Sequence, residues 1–173
     1  MTFETKGIVF DLDQTLVNSN CVAKYRDARN WVVVKQKLGE ISAFEGIKDL
    51  IFDLHLNKIV TVVVTSSPSW YCNSILSQNK LQFDKPPVCY HDTLRKKPHP
   101  DPILEALNRL NIEPKNALAI GDDRKDTIAA KNAGVFSVGS AWGCSDLEEL
   151  EKSLPNKICY SVKELREFIF CKL

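Results

Sequence analysis

Residues 7–15 read GIVFDLDQT, a short apolar run that ends in an acidic loop. The run Gly7–Phe10 predicts a buried β-strand, because a short continuous apolar run bounded by a loop is typical of one. The loop places Asp11 and Asp13 directly after this strand, with Thr15 two residues further on. Two carboxylates at the end of a buried strand indicate a site at that edge of a sheet.

Further short apolar runs follow along the chain. Lys58–Val64 is rich in β-branched residues and is the strongest of these strand predictions. The other candidates are Val88–Tyr90, Ala117–Ile120, Val135–Val138 and, as a sixth strand, Ile158–Tyr160.

Helical patterns lie between the runs. Apolar residues repeat at i, i+3, i+4 and i+7 from Ile47 to Leu54, and again from Ile103 to Leu110. Asp101 before Pro102 predicts an N-cap followed by proline at the first helical position. The pair Ser67-Pro68 indicates another helix start of the same kind.

Two helices are predicted in the last third of the chain. Asp126–Ala133 forms a short helix that Gly134 ends. Ser161 and Glu164 form a capping box for the closing helix Val162–Phe170. The alternation of strands and helices predicts an α/β fold. We expect a three-layer, Rossmann-like arrangement, with a mainly parallel sheet of five or six strands and helices on both faces.

Two stretches do not fit this alternation. Within Asn18–Ala43 the pattern predicts one helix over Cys21–Leu38, ended by Gly39, with the apolar run Trp31–Val34 packed against other residues. Residues 85–102 hold five of the eight prolines, which predicts an irregular connection around one short strand.

Composition restricts the class of protein. The length of 173 residues suits one domain over 1–173, and 23 basic residues nearly balance 22 acidic ones, so nucleic-acid binding is not indicated. No apolar run approaches the roughly 20 residues that a membrane-spanning helix needs. The N-terminus leads almost directly into the first strand and leaves no room for a signal peptide. We therefore expect a cytoplasmic protein that does not bind membranes.

The six cysteines are scattered, and none belongs to a C-x-x-C pair. We expect free, mostly packed thiols in a reducing compartment. Neither the cysteines nor the three histidines cluster as zinc ligands do. The cysteines are Cys21, Cys72, Cys89, Cys144, Cys159 and Cys171.

Polar residues follow four of the predicted strands, where ligands bind in parallel sheets. They are Asp11 and Asp13, then Thr65 and Ser66, then Lys96 and Lys97, and finally Asp122, Asp123 and Asp126. Several carboxylates at one edge would repel each other unless a cation lay among them, and oxygen ligands suit Mg²⁺. A lysine and hydroxyl donors beside them suit phosphoryl transfer, with Asp11 as a covalent acceptor. Asp13 could protonate the leaving oxygen and then deprotonate the attacking water.

From Gly7 to about Gly143, the chain resembles the haloacid dehalogenase-like hydrolases. The resemblance depends on four motifs in a fixed order. They are D-x-D-x-T at 11–15, an apolar strand ending in Thr-Ser at 62–66, K-P-x-P at 97–100 and G-D-x-x-x-D at 121–126. Residues 141–143, Ala-Trp-Gly, also resemble the small phosphatases of the phosphoglycolate phosphatase type.

The resemblance implies a role for each acidic residue. Asp11 would attack phosphorus, form an aspartyl-phosphate and contact the metal. Asp13 would be the general acid and base, and its backbone carbonyl a metal ligand. Asp122 would bind Mg²⁺ directly. Asp126 would support the metal shell or orient Lys97.

The resemblance also assigns the donors around the phosphoryl group. Thr65 would donate to this group, helped by the backbone of Ser66. Lys97 would neutralise Asp11 and the phosphate, and Thr15 would hold the acidic loop in shape. Of the remaining polar residues, Lys96 is expected to be a solvated neighbour and His99 a turn residue, while Asp123 could support the site or be a surface charge.

Asp13 distinguishes between branches of this family. True dehalogenases lack an aspartate there, and the ion-pumping ATPases carry threonine, so Asp13 indicates a phosphatase or, less often, a phosphomutase. Gln14 departs from the pattern, where glycine is common. A HAD-like interaction module without activity is the other alternative, and the intact set of motif residues argues against it.

The insertion that usually sets specificity in this family is short. Residues 18–43 predict only a reduced cap, and the gap from Thr65 to Lys97 has no room for the other kind of cap. We expect a phosphorylated substrate that is a small metabolite. An open site could also admit a bulkier substrate or be closed by another subunit in a homo-oligomer. Arg26 and Arg29 could face solvent or reach over the site, and the sequence does not indicate which substrate is used.

Overall fold

The computed structural model describes residues 5–171, and its strands form two sheets. The strands are β1 (Gly7–Phe10), β2 (Val17–Asn18), β3 (Ser42–Ala43), β4 (Val60–Val63), β5 (Ala117–Gly121), β6 (Phe136–Ser140) and β7 (Lys157–Cys159). The larger sheet has five parallel strands in the order β4-β1-β5-β6-β7, and β2 pairs with β3 in a small antiparallel sheet.

Eight α-helices connect these strands in the described part of the chain. They are α1 (Ala23–Asp27), α2 (Trp31–Gln36), α3 (Ile47–Leu56), α4 (Ser69–Gln78), α5 (Asp101–Leu110), α6 (Arg124–Asn132), α7 (Leu147–Lys152) and α8 (Val162–Phe170). Short 3₁₀ helices lie at Asn20–Val22, Leu38–Glu40 and Pro114–Asn116.

Side chains of the central strand alternate between two apolar layers. Ile8 and Phe10 of β1 lie in the layer that contains residues of α3, α4 and α8. Val9 points to the opposite layer, where residues of α5 and α6 pack. Each layer removes apolar surface from water, which is the main stabilising contribution to such a fold. The predicted three-layer α/β class is confirmed.

The register of the central strands brings their carboxyl ends level. Phe10 of β1 lies opposite Val63 of β4 and Ile120 of β5. Since the three strands run parallel, the residues that follow them emerge at the same edge. This edge carries the polar residues of the sequence motifs.

Most strand predictions are confirmed with small changes of bounds, but Val88–Tyr90 is not a strand. Val88 makes a single parallel bridge to Val64. Pro86 and Pro87 precede it and have no backbone N–H to donate to a neighbouring strand. The predicted sixth strand forms β7.

The single helix predicted over Cys21–Leu38 is wrong. The chain forms α1 and α2 instead, and Arg29 between them adopts a left-handed conformation with φ of 53°. The side chain of Asn30 accepts a hydrogen bond from the backbone N–H of Val33 and so begins α2 as a new helix. Gly39 lies inside a 3₁₀ helix rather than after a helix end.

The segment between β2 and β3, which contains α1 and α2, is attached through a narrow neck. Val17 pairs with Ala43, and Asn18 pairs with Ser42, in an antiparallel ladder. The chain therefore leaves the main domain and returns to it at one point. Trp31 and Val34 of the predicted apolar run pack against the core, whereas Val32 is exposed.

Two predicted N-caps are displaced by one residue. Asp101 is the first residue of α5 rather than its cap, and its carboxylate is paired with Arg95 at 2.9 Å instead of accepting from a helix N–H. Pro68, not Ser67, occupies the N-cap position of α4. The Ser67 hydroxyl instead donates to Asp13 at 3.2 Å.

The capping box predicted for α8 forms only in part, and a full one forms at α6. Ser161 caps α8 by accepting from the Glu164 N–H, but the Glu164 carboxylate accepts from Tyr160, so the predicted box is incomplete. A full capping box forms instead at α6 between Asp123 and Asp126.

All six cysteines are free, as predicted. Over residues 5–171, no helix has the length and apolar character to cross a membrane.

Candidate active site

Lys97 lies at the centre of the polar edge. Its Nζ is 2.6 Å from Asp11 Oδ1 and 2.6 Å from Asp126 Oδ1, and it donates to the Val64 carbonyl at 3.2 Å. Only 6% of the Lys97 side chain is exposed. Burial alone would lower the pKa of Lys97, but the carboxylates of Asp11 and Asp126 raise it well above its usual range. Lys97 is therefore a permanent positive charge inside the site.

Three carboxylates converge beside this lysine. Asp11, Asp122 and Asp126 each offer an oxygen, and these oxygens lie within 4.8 Å of one another. Burial, and then the charges of Asp126 and Asp13, raises the pKa of Asp11 to about 7 despite Lys97. Burial, followed by Asp11 and Asp126, raises the pKa of Asp122 to about 9. Three oxygen donors at this spacing fit a hard divalent cation.

Asp126 reaches this cluster from the first turn of α6. Its Oδ2 accepts a hydrogen bond from the Asp123 backbone N–H at 3.2 Å, while Oδ1 pairs with Lys97. A Cβ atom on Gly121 would lie 2.4 Å from Asp126 Cβ, so only glycine fits at the end of β5. The glycine that begins the G-D-x-x-x-D motif thus lets α6 approach the sheet.

Asp13 has three partners of its own. Tyr71 Oη donates to Asp13 Oδ1 at 2.7 Å, and Ser67 Oγ donates to Oδ2 at 3.2 Å. The Arg26 guanidinium of α1 forms an ion pair with Oδ2. Burial, and then the charge of Asp13, raises the pKa of Tyr71 well above its usual range, so its hydroxyl remains a donor. Arg26 therefore faces the site, which settles the alternative that the sequence left open.

Thr15 lies behind the acidic loop and holds it. Its hydroxyl is 3.0 Å from Ser140 Oγ and 3.5 Å from Asp122 Oδ1, and its carbonyl accepts from Trp142 Nε1 at 3.1 Å. A Cβ atom on Gly143 would lie 1.9 Å from the Gln14 carbonyl oxygen, so residues 141–143 pack tightly under the loop.

Gln14 adopts a left-handed conformation with φ of 63°. Glycine adopts this backbone conformation without steric cost, whereas a residue with a Cβ atom adopts it rarely.

The loop after β4 supplies the hydroxyls. Thr65 donates its backbone N–H to the Val88 carbonyl at 2.9 Å, and its Oγ1 accepts from the Ser67 N–H at 3.1 Å. The isolated bridge at Val88 thus fixes the start of this loop. Thr65, Ser66 and Ser67 all line the cavity at this edge of the sheet.

A cavity of about 550 Å³ opens above these groups. The predicted catalytic and metal residues line it, together with Asp126 and Ser66, whereas Thr15 does not. Lys96 does not line it: its Nζ donates to the Thr93 carbonyl and lies 4.5 Å from the Tyr90 ring centroid. Asp123 caps α6, and His99 pairs with Asp101 at 2.9 Å.

The outer wall of the cavity comes from the segment between the two neck strands. Arg26, Arg29 and Trp31 line it from this side, and Tyr90 lines it from the connection after Val88. Arg29 lies 6.0 Å from the Tyr90 ring centroid and forms no carboxylate ion pair within residues 5–171. The sequence indicated Arg26 as a residue that could reach this wall. It did not indicate Tyr71, because the helical spacing of Tyr71 with apolar neighbours is that of a core residue.

The fold and the site define an α/β protein with an aspartate–lysine centre at the carboxyl edge of a parallel sheet. Residues 21–140 match the family model described as haloacid dehalogenase-like hydrolase. The chain belongs to this family.

Curated relatives include the phosphoglycolate phosphatases of Escherichia coli K12 and Salmonella typhi. Each is 32% identical over 123 residues, which is 70% of this chain and 49% of the relative. The chain therefore spans about half the length of the curated relatives it matches.

Two solved structures share the fold. A predicted phosphoglycolate phosphatase from Haemophilus somnus 129PT is 21% identical with a TM-score of 0.79, and the match covers 98% of both chains. A predicted phosphatase from Clostridium acetobutylicum is 24% identical with a TM-score of 0.78, covering 96% of this chain and 99% of that one. At these identities the likeness concerns the fold alone.

Proposed function

We propose that the protein is a Mg²⁺-dependent phosphatase that hydrolyses a phosphate monoester through an aspartyl-phosphate on Asp11. The observation that carries this proposal is the position of Lys97, whose ammonium contacts both Asp11 and Asp126 at 2.6 Å. A buried cation beside a buried carboxylate provides a place where a phosphoryl group can be neutralised during transfer.

The acidic cluster supports the metal part of the proposal. Asp11 and Asp122 would hold Mg²⁺ through side-chain oxygens, with the backbone carbonyl of Asp13 as a further ligand and Asp126 beside them. Bound there, Mg²⁺ would supply neutralisation of charge on the phosphoryl oxygens.

The chain's own residues account for both halves of the reaction. Asp11 attacks phosphorus, and the bond from phosphorus to the ester oxygen breaks while Asp13 gives that oxygen a proton. In the second half, Asp13 takes a proton from water as the water oxygen bonds to phosphorus and the bond to Asp11 breaks. Thr65 and Ser66 donate to the phosphoryl oxygens, and Lys97 offsets their charge.

The cavity indicates the kind of leaving group. Arg26 and Arg29 lie on the wall beside Asp13, the residue that would contact the leaving oxygen. Two guanidinium groups at that place favour a small metabolite with a second anionic group. The name of the curated relatives, phosphoglycolate phosphatase, agrees with a substrate of this kind.

We also place the enzyme in the cytoplasm, which the six free thiols favour. The segment 18–43 serves as a reduced cap in this proposal. A homo-oligomer that completes the site is compatible with its short length.

The test measures release of inorganic phosphate from 4-nitrophenyl phosphate with Mg²⁺, with EDTA and with Asp11→Asn. We expect phosphate release only from the wild type with Mg²⁺ and without EDTA. We also expect a radiolabelled phosphoryl group from the substrate to stay bound to the wild type but not to Asp11→Asn. Asp49→Asn is the matched control, because Asp49 is exposed on α3. Activity that survives EDTA or Asp11→Asn would contradict the mechanism.

A panel of phosphorylated metabolites then identifies the substrate. Phosphate that moves to a second hydroxyl of a sugar phosphate, with none released to water, would indicate a phosphomutase instead. An absence of turnover and of labelling across the whole panel would favour the inactive interaction module.

A further inference from the structure

The three partners of Asp13 differ in their access to the cavity. Ser67 and Arg26 line it, so a substrate or a water molecule can replace either one. Tyr71 is not among the described residues that line it, and its side chain has no exposed surface. Of the three, Tyr71 is the partner that substrate binding leaves in place.

Packing fixes the ring of Tyr71. The Trp70 ring lies 5.9 Å away at an angle of 84°, and the Trp31 ring lies 6.1 Å away at 52°. Trp31 belongs to α2, and Tyr71 belongs to α4 in the core. A ring held on two sides presents its hydroxyl in one direction, which is toward Asp13 Oδ1 at 2.7 Å.

The two oxygens of Asp13 are therefore not equivalent. Oδ1 is bound to a buried hydroxyl that has little freedom to move, and separating the two would leave a buried donor unpaired. Oδ2 is bound to Ser67 and Arg26, both at the cavity wall. The oxygen that can reach a ligand is Oδ2.

We propose that Tyr71 is a positioning residue that holds Asp13 Oδ1, so that Asp13 exchanges protons with the leaving group and with water through Oδ2. This inference rests on the proposed function. The proton on Oδ2 passes to the ester oxygen as its bond to phosphorus breaks, and Oδ2 later receives a proton from the attacking water. Tyr71 itself keeps its proton and does not contact the substrate.

The test compares two substrates in Tyr71→Phe, which keeps the ring and removes only the hydroxyl. Nitrophenolate leaves 4-nitrophenyl phosphate without protonation, whereas the alkoxide of a simple alkyl phosphate needs a proton. We expect kcat/KM to fall about 10- to 100-fold for the alkyl phosphate and less than about threefold for the aryl phosphate. Tyr160→Phe, at an exposed tyrosine, is the matched control.

A double-mutant cycle with Asp13→Asn shows whether Tyr71 acts through Asp13. In that background, Tyr71→Phe should change kcat/KM for neither substrate by more than about threefold. An equal loss on both substrates, or additive losses in the cycle, would overturn the inference. Replacement of Tyr71 by 4-aminophenylalanine, which keeps a donor, should restore most of the alkyl phosphate activity, and a failure to do so would also count against it.

The proposed function and this inference fail in different ways. Wild-type turnover that Asp11→Asn abolishes supports the proposed function whatever Tyr71 does. If the wild type releases no phosphate from either substrate, both ideas fail together. A uniform loss in Tyr71→Phe removes only the positioning role.

Discussion

The ammonium nitrogen of Lys97 lies 2.6 Å from Oδ1 of Asp126. The other oxygen of that carboxylate accepts from the Asp123 backbone N–H at 3.2 Å. One side chain thus orients the charged lysine of the site and completes the capping box of α6. The resemblance implied that Asp126 supports the metal shell or orients Lys97, and the capping bond to the Asp123 N–H adds to that.

Asp126→Asn should therefore impair stability and activity together. We expect the free energy of unfolding to fall by about 1–3 kcal/mol, because a buried lysine loses one of two ionic partners. We also expect kcat to fall about 100-fold as Lys97 loses its orientation. Urea unfolding and phosphate release measure the two effects. Asp123→Asn is the control for stability, because it removes a charge from the same capping box while asparagine still caps the helix. A comparable loss there would assign the effect to that charge and not to the contact of Asp126 with Lys97.

Metal removal should destabilise the folded chain. Mg²⁺ at about 100 times its dissociation constant should add about 2.7 kcal/mol to the free energy of unfolding. Thermal unfolding with Mg²⁺ and with EDTA measures this difference. Identical melting curves under the two conditions would contradict a metal site at Asp11, Asp122 and Asp126.

The metal-free protein should also lose stability as the pH rises. The pKa of Asp122 is raised by burial from 3.8 to about 9, so the folded state retains a proton that the unfolded state releases. This contribution is fully present below pH 3.8 and is lost as the pH rises toward about 9. The stabilisation by Mg²⁺ should accordingly be larger at pH 8 than at pH 5. Unfolding curves at both pH values, with and without Mg²⁺, test the sign.

Gly143→Ala should displace the acidic loop. The added methyl group would lie 1.9 Å from the Gln14 carbonyl oxygen, which is a backbone atom that cannot rotate away. We expect a loss of about 1–3 kcal/mol in the free energy of unfolding, with a fall in kcat because Asp13 moves with the loop. Gly39→Ala is the matched control, since its methyl group would meet no atom within 4 Å, and it should change stability by less than about 0.5 kcal/mol.

Arg26→Gln should change substrate preference. Because a charged hydrogen bond contributes about 1.5–3 kcal/mol, we expect KM for a small phosphate monoester with a carboxylate group to rise about 10- to 100-fold. KM for 4-nitrophenyl phosphate should rise much less. Lys24→Gln, at an exposed position of the same helix, controls for the loss of charge. Equal changes in KM for both substrates would contradict the role.

The sequence predicted which polar residues meet at this edge of the sheet, because one rule governs their position. Asp11, Thr65, Lys97 and Asp122 each follow a run with a clear strand or motif signature, and parallel strands bring such residues together. The prediction needed only the order of elements, not their packing. The predicted meeting of these residues is therefore found in the structure, although Val88–Tyr90 forms a single bridge rather than a strand.

The parts that were missed depend on tertiary packing. The hydrogen bond from Tyr71 to Asp13 joins residues that are 58 positions apart in the sequence. A pattern of apolar residues does not predict a contact of this kind. The break between α1, which carries Arg26, and α2 lies at Arg29, whose left-handed backbone no apolar periodicity indicates. Asp126 was found as a motif residue, but its capping bond was not, because aspartate stands where glutamate is usual in a capping box.

The antiparallel neck of Val17–Asn18 and Ser42–Ala43 makes the intervening segment a replaceable module. Its two ends are already closed by their own ladder, so a longer helical insert spliced between them would leave the register of the main sheet unchanged. Insertions at such a junction change what covers the cavity without moving Asp11 or Lys97. We expect that exchanging the segment at this neck can change the substrate range while the polar edge of the main sheet stays the same.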